Sequence, residues 1–477
     1  LGANGPAGRD GIQFRLHPSE RMSDTPELMV TWRRVHEGFD PSVPAERRQH
    51  VARDRYNPVT SEVCGQLRQP VLHQKIILAG GIGSGKSTEL RAVLNDLHQD
   101  KDVLFLDLED HYQQSVQDPY ALGRIEAVEL IGLIGLAVLR MGRESLQVQW
   151  GEHEDRFGAA FTALGRRPEQ EQVPAVDLAK LVSGVGLLVG TALGDEGVGL
   201  MTAGAANQGV RALKAVTEAW SWRVGLFNRA PRADQEPTVR ALASATGALL
   251  DHLRALRRRS LVLVVDGLDR VREDEIFSPL LVRSRLLAEL RADVVITADL
   301  GLVERHRAAL RAWTTRDFTY VPVAQRDDPL TPDPRGVDFL AQVAEQRLKL
   351  LGHLELFTRA QLKKLGYYSA GSVRDFVTLV RNVAMEAMVA HAPTATDTLV
   401  DKVLDRHRRE QEAGLNRAHV TCLQKVLNDP DRLLPEDELA AELVKRQLLL
   451  AYPNESTWYL PHTALIWKML RRAGPSA

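Results

Sequence analysis

Short, continuous apolar runs recur along the first two thirds of the chain: KIILAG (75–80), DVLFLDLED (102–110), SLVLVVDGLDRV (260–271), ADVVITAD (292–299) and RDFTYVPV (316–323). Runs of this length without polar alternation read as strands buried on both faces, as in a parallel sheet covered by helices. The first is followed by a glycine-rich octet and then by ELRAVLNDLHQ, which has helical spacing. Strand, glycine loop and helix in that order open an α/β fold. A further helix, LLVRSRLLAELR (280–291), is predicted between the third and fourth strands.

The connection from the second strand to the third is out of scale. It runs for roughly 150 residues where a crossover of a dozen or more suffices. It contains AVELIGLIGLAVLRM (127–141) and a Gly/Ala-rich stretch at 181–206. A membrane span needs about 20 apolar residues. The first stretch has ten without a break (130–139), between Glu129 and Arg140, and the second has 14 before Asp195 and Glu196. The expectation is therefore a helical insertion, about 118–240, with a small-residue packing face that meets another element or a subunit.

After the fifth strand, DDPLTPDP (327–334) is a proline-rich hinge, 337–412 has sustained helical periodicity, and 413–477 reads as helices followed by a hairpin. A hairpin after helices suggests a winged helix. The expected organisation is a polar helical segment at 22–60, a core at 61–330, a helical lid at 331–412 and a winged-helix-like unit at 413–477. Residues 1–21 are Gly/Arg-rich without an apolar segment, so they are no signal peptide. They are set aside as a foreign remnant or disordered leader ahead of Met22, which reads as the natural start.

Composition narrows the function classes. A chain of 477 residues is too long for a single core. Lys+Arg 61 against Asp+Glu 62 gives a net charge of −1, which excludes a whole-surface grip on nucleic acid or acidic lipid. Cys64 and Cys422, the two cysteines, stand far apart with no metal spacing, and a reducing cytoplasm is the expected compartment.

The chemistry concentrates in Gly80, Gly81, Ile82, Gly83, Ser84, Gly85, Lys86 and Ser87, which satisfy G-x-x-x-x-G-K-[ST] between a strand and a helix. The glycines let successive N–H groups turn inward to phosphate, and the helix start adds partial positive charge. Lys86 is expected to reach the β/γ phosphates, Ser87 to ligate Mg²⁺ and Thr88 to steady the α-phosphate. Asp266, ending the apolar strand, is the second expected Mg²⁺ ligand. Gly267 and Leu268 follow it in place of an immediate Glu, so Asp269 is the candidate to orient water, or else a helix cap. Thr297, near the end of the fourth strand, is a candidate sensor of the γ-phosphate, with Asp299 a weaker alternative. No N/T-K-x-D guanine signature is found, and the expected cofactors are ATP or ADP with Mg²⁺.

Asp266-Gly-Leu-Asp269 resembles the acidic strand motif of STAND NTPases and the similar one of KAP P-loop NTPases. Ser369-Ala-Gly-Ser-Val-Arg374-Asp-Phe resembles the second sensor of AAA+ lids, especially of origin-licensing ATPases, which implies that Arg374 swings from the lid to the γ-phosphate. A guanidinium suits that role, since it binds phosphate bidentately and stays charged. Trp458-Tyr-Leu-Pro-His462 and the following helix resemble the winged-helix end of such proteins, and the overall order resembles bacterial conflict and defence ATPases. The AAA+ resemblance also implies an arginine finger from a neighbouring subunit, with Arg305, Arg307, Arg311 and Arg316 as candidates.

A winged helix invites a DNA-binding reading, but Glu436, Asp437, Glu438 and Glu442 in the segment from Pro435 would present four carboxylates to a polyanion, and the wing 452–456 carries one acid and no base. The basic runs Arg257-Arg258-Arg259 and Arg406-His407-Arg408-Arg409 stand at predicted helix ends, where cations are favoured anyway. The reading is an α/β protein: a five-stranded parallel P-loop NTPase core with a helical insertion, lid and winged helix. It would act as a slow or conditional ATPase switch that self-associates with nucleotide and signals to a separate effector or sensor protein. The rivals are a DNA-transaction AAA+ loader or transposition regulator, a membrane-attached KAP-type NTPase, and a non-hydrolysing scaffold.

Overall fold

The computed structural model describes residues 25–53, 58–116, 118, 120–165, 188–190, 201–202, 236–452 and 457–470. The leader 1–21, most of the stretch 181–206 and the wing tip 453–456 lie outside them. The central sheet contains β1 (Lys75–Gly80), β2 (Asp102–Asp107), β3 (Leu188–Gly190), β4 (Met201–Thr202), β5 (Leu261–Asp266), β6 (Asp293–Ala298) and β7 (Thr314–Phe318) in the order β4-β3-β2-β5-β6-β1-β7. The five apolar runs form the parallel part, β2-β5-β6-β1-β7. β1, β5 and β6 are buried at every position, as the absence of polar alternation requires.

Alternate residues of these strands feed two cores. Ile77, Leu104, Leu263 and Val294 face the insertion side, whereas Ile76, Leu78, Val103 and Phe318 face α2 (Val59–Leu67) and α3 (Lys86–Leu97). The insertion side is filled by α4 (Ala127–Glu144), α5 (Glu152–Gly165) and α6 (Glu236–Arg257). An apolar helix of this kind is buried nearly all round. Its glycines form the expected small-residue face, and that face turns inward to this chain's own aromatics. A Cβ on Gly135 would stand 2.1 Å from Phe157 Cε2, and one on Gly142 would stand 2.2 Å from Trp150 Cζ2.

The structure corrects four expectations. The insertion is not purely helical, because β3 and β4 from the Gly-rich stretch extend the sheet antiparallel beyond β2. The helix expected at 280–291 starts earlier, as a turn Asp274–Phe277 that widens into a π-turn Ser278–Arg283 and ends at the extended Ser284. Pro279 has no N–H for the α ladder, and the Ser284 N–H closes on the Pro279 carbonyl five residues back. The second strand stops at Asp107 because that side chain accepts the Asp110 N–H and caps a helical turn. The fifth strand is Thr314–Phe318, and 319–323 lead out of the sheet into the lid.

A third core unites α1 (Thr25–Gly38), α8 (Pro334–Leu351), α9 (Arg359–Tyr368), α10 (Val373–Val389), α11 (Asp397–Glu412), α12 (Arg417–Asn428), α13 (Glu438–Lys445) and the hairpin β8 (Leu449–Tyr452)–β9 (Trp458–Pro461); α7 is Leu300–His306, after β6. Local chemistry fixes the helix ends. Asp333 and Pro334 start α8, left-handed Gly352 stops it, and capping boxes open α9 and α12. Trp32 of α1 is buried in this core and donates its indole N–H to the Ala392 carbonyl at 2.7 Å. The architecture is α/β: a parallel five-stranded core with the glycine loop after β1, a long, largely helical insertion, a helical lid and a C-terminal winged-helix unit. Among the described residues no helix is long and apolar enough to cross a membrane.

Candidate functional site

The carboxyl ends of the parallel strands gather the residues singled out from the sequence. β6 lies between β1 and β5, so the end of β5 at Asp266 stands two strand spacings, roughly 10 Å, from the end of β1, with Thr297 of β6 between them. The loop curls from Gly80 to Gly85, with Gly83 and Gly85 at φ 81° and 103°, a conformation that glycine adopts without penalty. Gly80 and Gly81 are required for space: a Cβ on Gly80 would meet the Phe318 carbonyl at 2.3 Å, and one on Gly81 the Tyr320 hydroxyl at 2.2 Å. Ser84 is buried and donates its hydroxyl to the Gly81 carbonyl at 2.8 Å.

Lys86, at the start of α3, is almost wholly buried. Its ammonium donates to the Gly80 and Gly81 carbonyls at 2.8 and 2.7 Å and pairs with Asp269 at 2.8 Å. Burial pushes the Asp269 carboxyl up, but the Lys86 ammonium and its hydrogen bond, backed by Arg270 and Arg374, outweigh it and hold the group below its ordinary range. Ser87 donates its hydroxyl to Asp266, whose carboxyl is nevertheless raised by burial and by the Asp269 charge. Asp266 also accepts the Gly267 N–H at 2.8 Å. Thr297 is fully buried, and its hydroxyl oxygen accepts the same Gly267 N–H at 2.9 Å. Thr88 accepts the Ala45 N–H at 3.2 Å, which ties the segment before α2 to the loop.

Sequence reasoning missed Asp107. It is in register with Asp266 on the adjacent parallel strand, and burial together with that neighbouring carboxylate pushes it up to about 7. The readable signal was an acid ending the strand beside β5.

The lid sits on the loop. The Arg374 N–H, at the start of α10, donates to the Gly83 carbonyl at 3.1 Å, and a Cβ on Gly83 would meet Ser372 Oγ at 2.8 Å and Arg374 Cβ at 3.0 Å. Val373 approaches Gly85. Asp299 caps α7 through the Leu302 N–H and stays outside this contact set. The finger candidates are apart from the loop: Arg307 binds Asp317 and Thr315, Arg311 binds the Ala308 carbonyl and Arg316 binds Gln66 and Glu62. Arg305 is exposed, with no partner among the described residues.

Most of the basic runs pair with this chain's own carboxylates, although Arg258 stays exposed. Arg257 and Arg259 converge on Asp102, Arg406 pairs with Glu386, and Arg408 and Arg409 pair with Asp405. On the acidic segment, Asp437 caps α13 and Glu442 faces His419 and Arg446.

No protein-family model and no curated protein matches the sequence. Among solved structures the chain is similar to Drosophila ORC bound to DNA, at 13% identity over 96% of this chain and 94% of that one, with a TM-score of 0.35. It is similar to Cdc6p from Pyrobaculum aerophilum at 12% identity over 92% and 98%, TM-score 0.36. The Aeropyrum pernix ORC1 protein in complex with DNA aligns at 11% identity over 93% and 98%, TM-score 0.37. Likenesses at these identities and scores identify no family for this chain.

Proposed function

We propose that the chain is an ATP-binding and slowly hydrolysing AAA+-like switch, whose nucleotide state sets the posture of its lid and thereby its assembly with itself and with a separate partner protein. The observation that carries this reading is the direct seating of the lid on the phosphate loop: the Arg374 N–H holds the Gly83 carbonyl while Ser372 and Val373 cover Gly83 and Gly85. A ligand that enters the loop must be felt by the lid, and a lid that moves must alter the loop. A population shift needs such a differential contact.

The residues suit a nucleoside triphosphate. Lys86 is the ammonium that exchanges its Asp269 and carbonyl partners for phosphate oxygens. Ser87 and Asp266, hydrogen-bonded oxygen donors of the hard kind, fit Mg²⁺, which would supply charge neutralisation at the phosphates. Release of Asp269 from Lys86 would leave that carboxylate free to accept a hydrogen bond from water, so the same exchange that binds the triphosphate would arm hydrolysis. Arg374 would supply a second cation from the lid, a role supported by its charge acting on Asp269. DNA is not favoured as the trigger, because most arginines of the two basic runs pair with this chain's own carboxylates.

Calorimetry with ATP and Mg²⁺ on wild type and Lys86→Ala tests the binding step, with circular dichroism to check that the variant is folded. Affinity should fall at least about a hundredfold; equal affinity would overturn the reading. Light scattering tests the switch. A larger discrete species should form with a non-hydrolysable ATP analogue, not with ADP and not in the variant. A mass unchanged across all conditions would remove nucleotide-driven assembly. Faster hydrolysis on adding duplex DNA would move the reading to a DNA-transaction ATPase.

A further inference from the structure

We infer that Gln447, in the C-terminal unit, is a positioning residue of the phosphate loop, a role that rests on the reading of that loop as a nucleotide-phosphate site. Gln447 follows α13, where the Leu448 N–H returns to the Leu443 carbonyl at 2.8 Å and the Gln447 N–H to the Val444 carbonyl at 2.9 Å. These two bonds form a Schellman helix end, whose left-handed position glycine ordinarily fills. Glutamine holds it here at φ 60°, a conformation that L side chains rarely adopt. Nothing in the helix end itself uses the side chain.

Its amide nitrogen instead crosses to the core. It donates to the Ile82 carbonyl in the middle of the glycine loop, 365 positions away in sequence, and to the Tyr320 hydroxyl at 2.9 Å. Tyr320 is buried and donates its own hydroxyl hydrogen to the same Ile82 carbonyl at 3.0 Å. Both lone pairs of that oxygen are therefore engaged, one from the C-terminal unit and one from the segment after β7. A trans peptide sets its N–H opposite its C=O. Anchoring the Ile82 carbonyl towards Gln447 and Tyr320 thus turns the Gly83 N–H the other way, out of the loop's back and to the side where such a loop takes phosphate. Left-handed residues close other helix ends here, His391 among them, so the pair of long-range hydrogen bonds, and not the backbone, sets Gln447 apart.

Coupling of this kind is reciprocal. If docking of the C-terminal unit aligns the Gly83 N–H, bound nucleotide must tighten that docking. The contact would tell the C-terminal unit what the loop holds, along a path separate from Arg374.

Gln447→Gly removes the amide while relieving the left-handed backbone, so the helix end is not weakened, and Gln447→Glu keeps the length but cannot donate to a carbonyl. With ATP and Mg²⁺ as probe, both should bind about 5- to 10-fold more weakly than wild type, with the melting temperature of free Gln447→Gly little changed and that of Gln447→Glu lower. In hydrogen exchange, the slowing that nucleotide confers on 438–452 in wild type should be lost in both. Wild-type affinity in Gln447→Gly, with that slowing intact, would overturn the inference. Should wild type itself bind no nucleotide while folded, the reading of the loop would fail first and this inference with it.

Discussion

At the amino ends of its parallel strands the sheet buries Lys75, Lys101, Asp102 and Asp293, and at their carboxyl ends it gathers Lys86, Asp107, Asp266 and Asp269. The first set is closed. Lys101 pairs with Asp293 at 3.0 Å, Asp293 also accepts the Gln74 N–H, and the Lys75 ammonium, pushed down to about 8 by burial, donates to the His73, Leu290 and Ala292 carbonyls. Asp102 takes two hydrogen bonds from Arg257. The second set is unresolved. Lys86 satisfies Asp269, while Asp266 and Asp107 stand side by side and both stay raised by burial and by a neighbouring carboxylate, even with Arg91 3.8 Å from Asp107. Burial of charge is common to both ends and therefore does not mark a site. What distinguishes the loop end is like charge left in contact, which a divalent cation relieves, and a lysine whose partners phosphate oxygens can replace.

Breaking the closed end should cost stability and nothing else. Asp293→Ala leaves the Lys101 ammonium and the Gln74 N–H buried without their acceptor. Removing one partner of a buried pair costs about 3–5 kcal/mol, so the denaturation midpoint should fall by the largest margin here, while the folded protein keeps its ATP affinity within about twofold. A large affinity loss in that variant would mean that the two ends are not independent.

At the loop end the same kind of change should have the opposite sign. Asp107→Asn removes one of the paired carboxylates and keeps an oxygen for the Asp110 N–H. The Asp107 carboxyl is raised to about 7, so between about pH 4 and pH 7 it is protonated in the folded chain and ionised in the unfolded one. The contribution of Asp107 to stability therefore falls as pH rises through that window and is level above it. Asp107→Asn should flatten the slope and be more stable by about 1–3 kcal/mol at pH 8. Urea unfolding at pH 4, 6 and 8 reads both, and parallel curves for the two proteins would show that the Asp107 carboxyl is not raised in the folded chain. Saturating Mg²⁺ and ATP should shrink the difference.

That contrast was half legible in the chain. β1, β5 and β6 announce themselves because strands covered on both faces cannot afford polar alternation, and the loop does so because phosphate binding fixes both residue type and spacing. Lys86, Ser87, Asp266 and Thr297 are brought together because they end or follow those strands. Asp107 went unread because its neighbour is set by strand order, and β2 could have lain elsewhere in the sheet. Gln447 and Ile82, or Trp32 and Ala392, meet across 365 and 360 positions, and no local period encodes such contacts. β3 and β4 were hidden in a glycine-rich stretch whose pairing is dictated by the free edge of β2.

The finest test of the contrast falls on Thr297, which is buried like the closed end yet stands in the open one. Its oxygen accepts the Gly267 N–H, and that N–H is shared with Asp266. Thr297→Val preserves shape, and Gly267 keeps its carboxylate acceptor, so stability should drop by only about 1 kcal/mol. A hydroxyl that accepts one hydrogen bond still has a hydrogen to donate. If that hydrogen is used on a phosphate oxygen or on water as the triphosphate reacts, Thr297→Val should hydrolyse ATP about tenfold more slowly with an unchanged dissociation constant, the signature of an interaction made only in the transition state. A hydrolysis rate within about twofold of wild type, beside the same small loss of stability, would instead put Thr297 with Lys101 and Asp293 among groups that only hold the sheet ends.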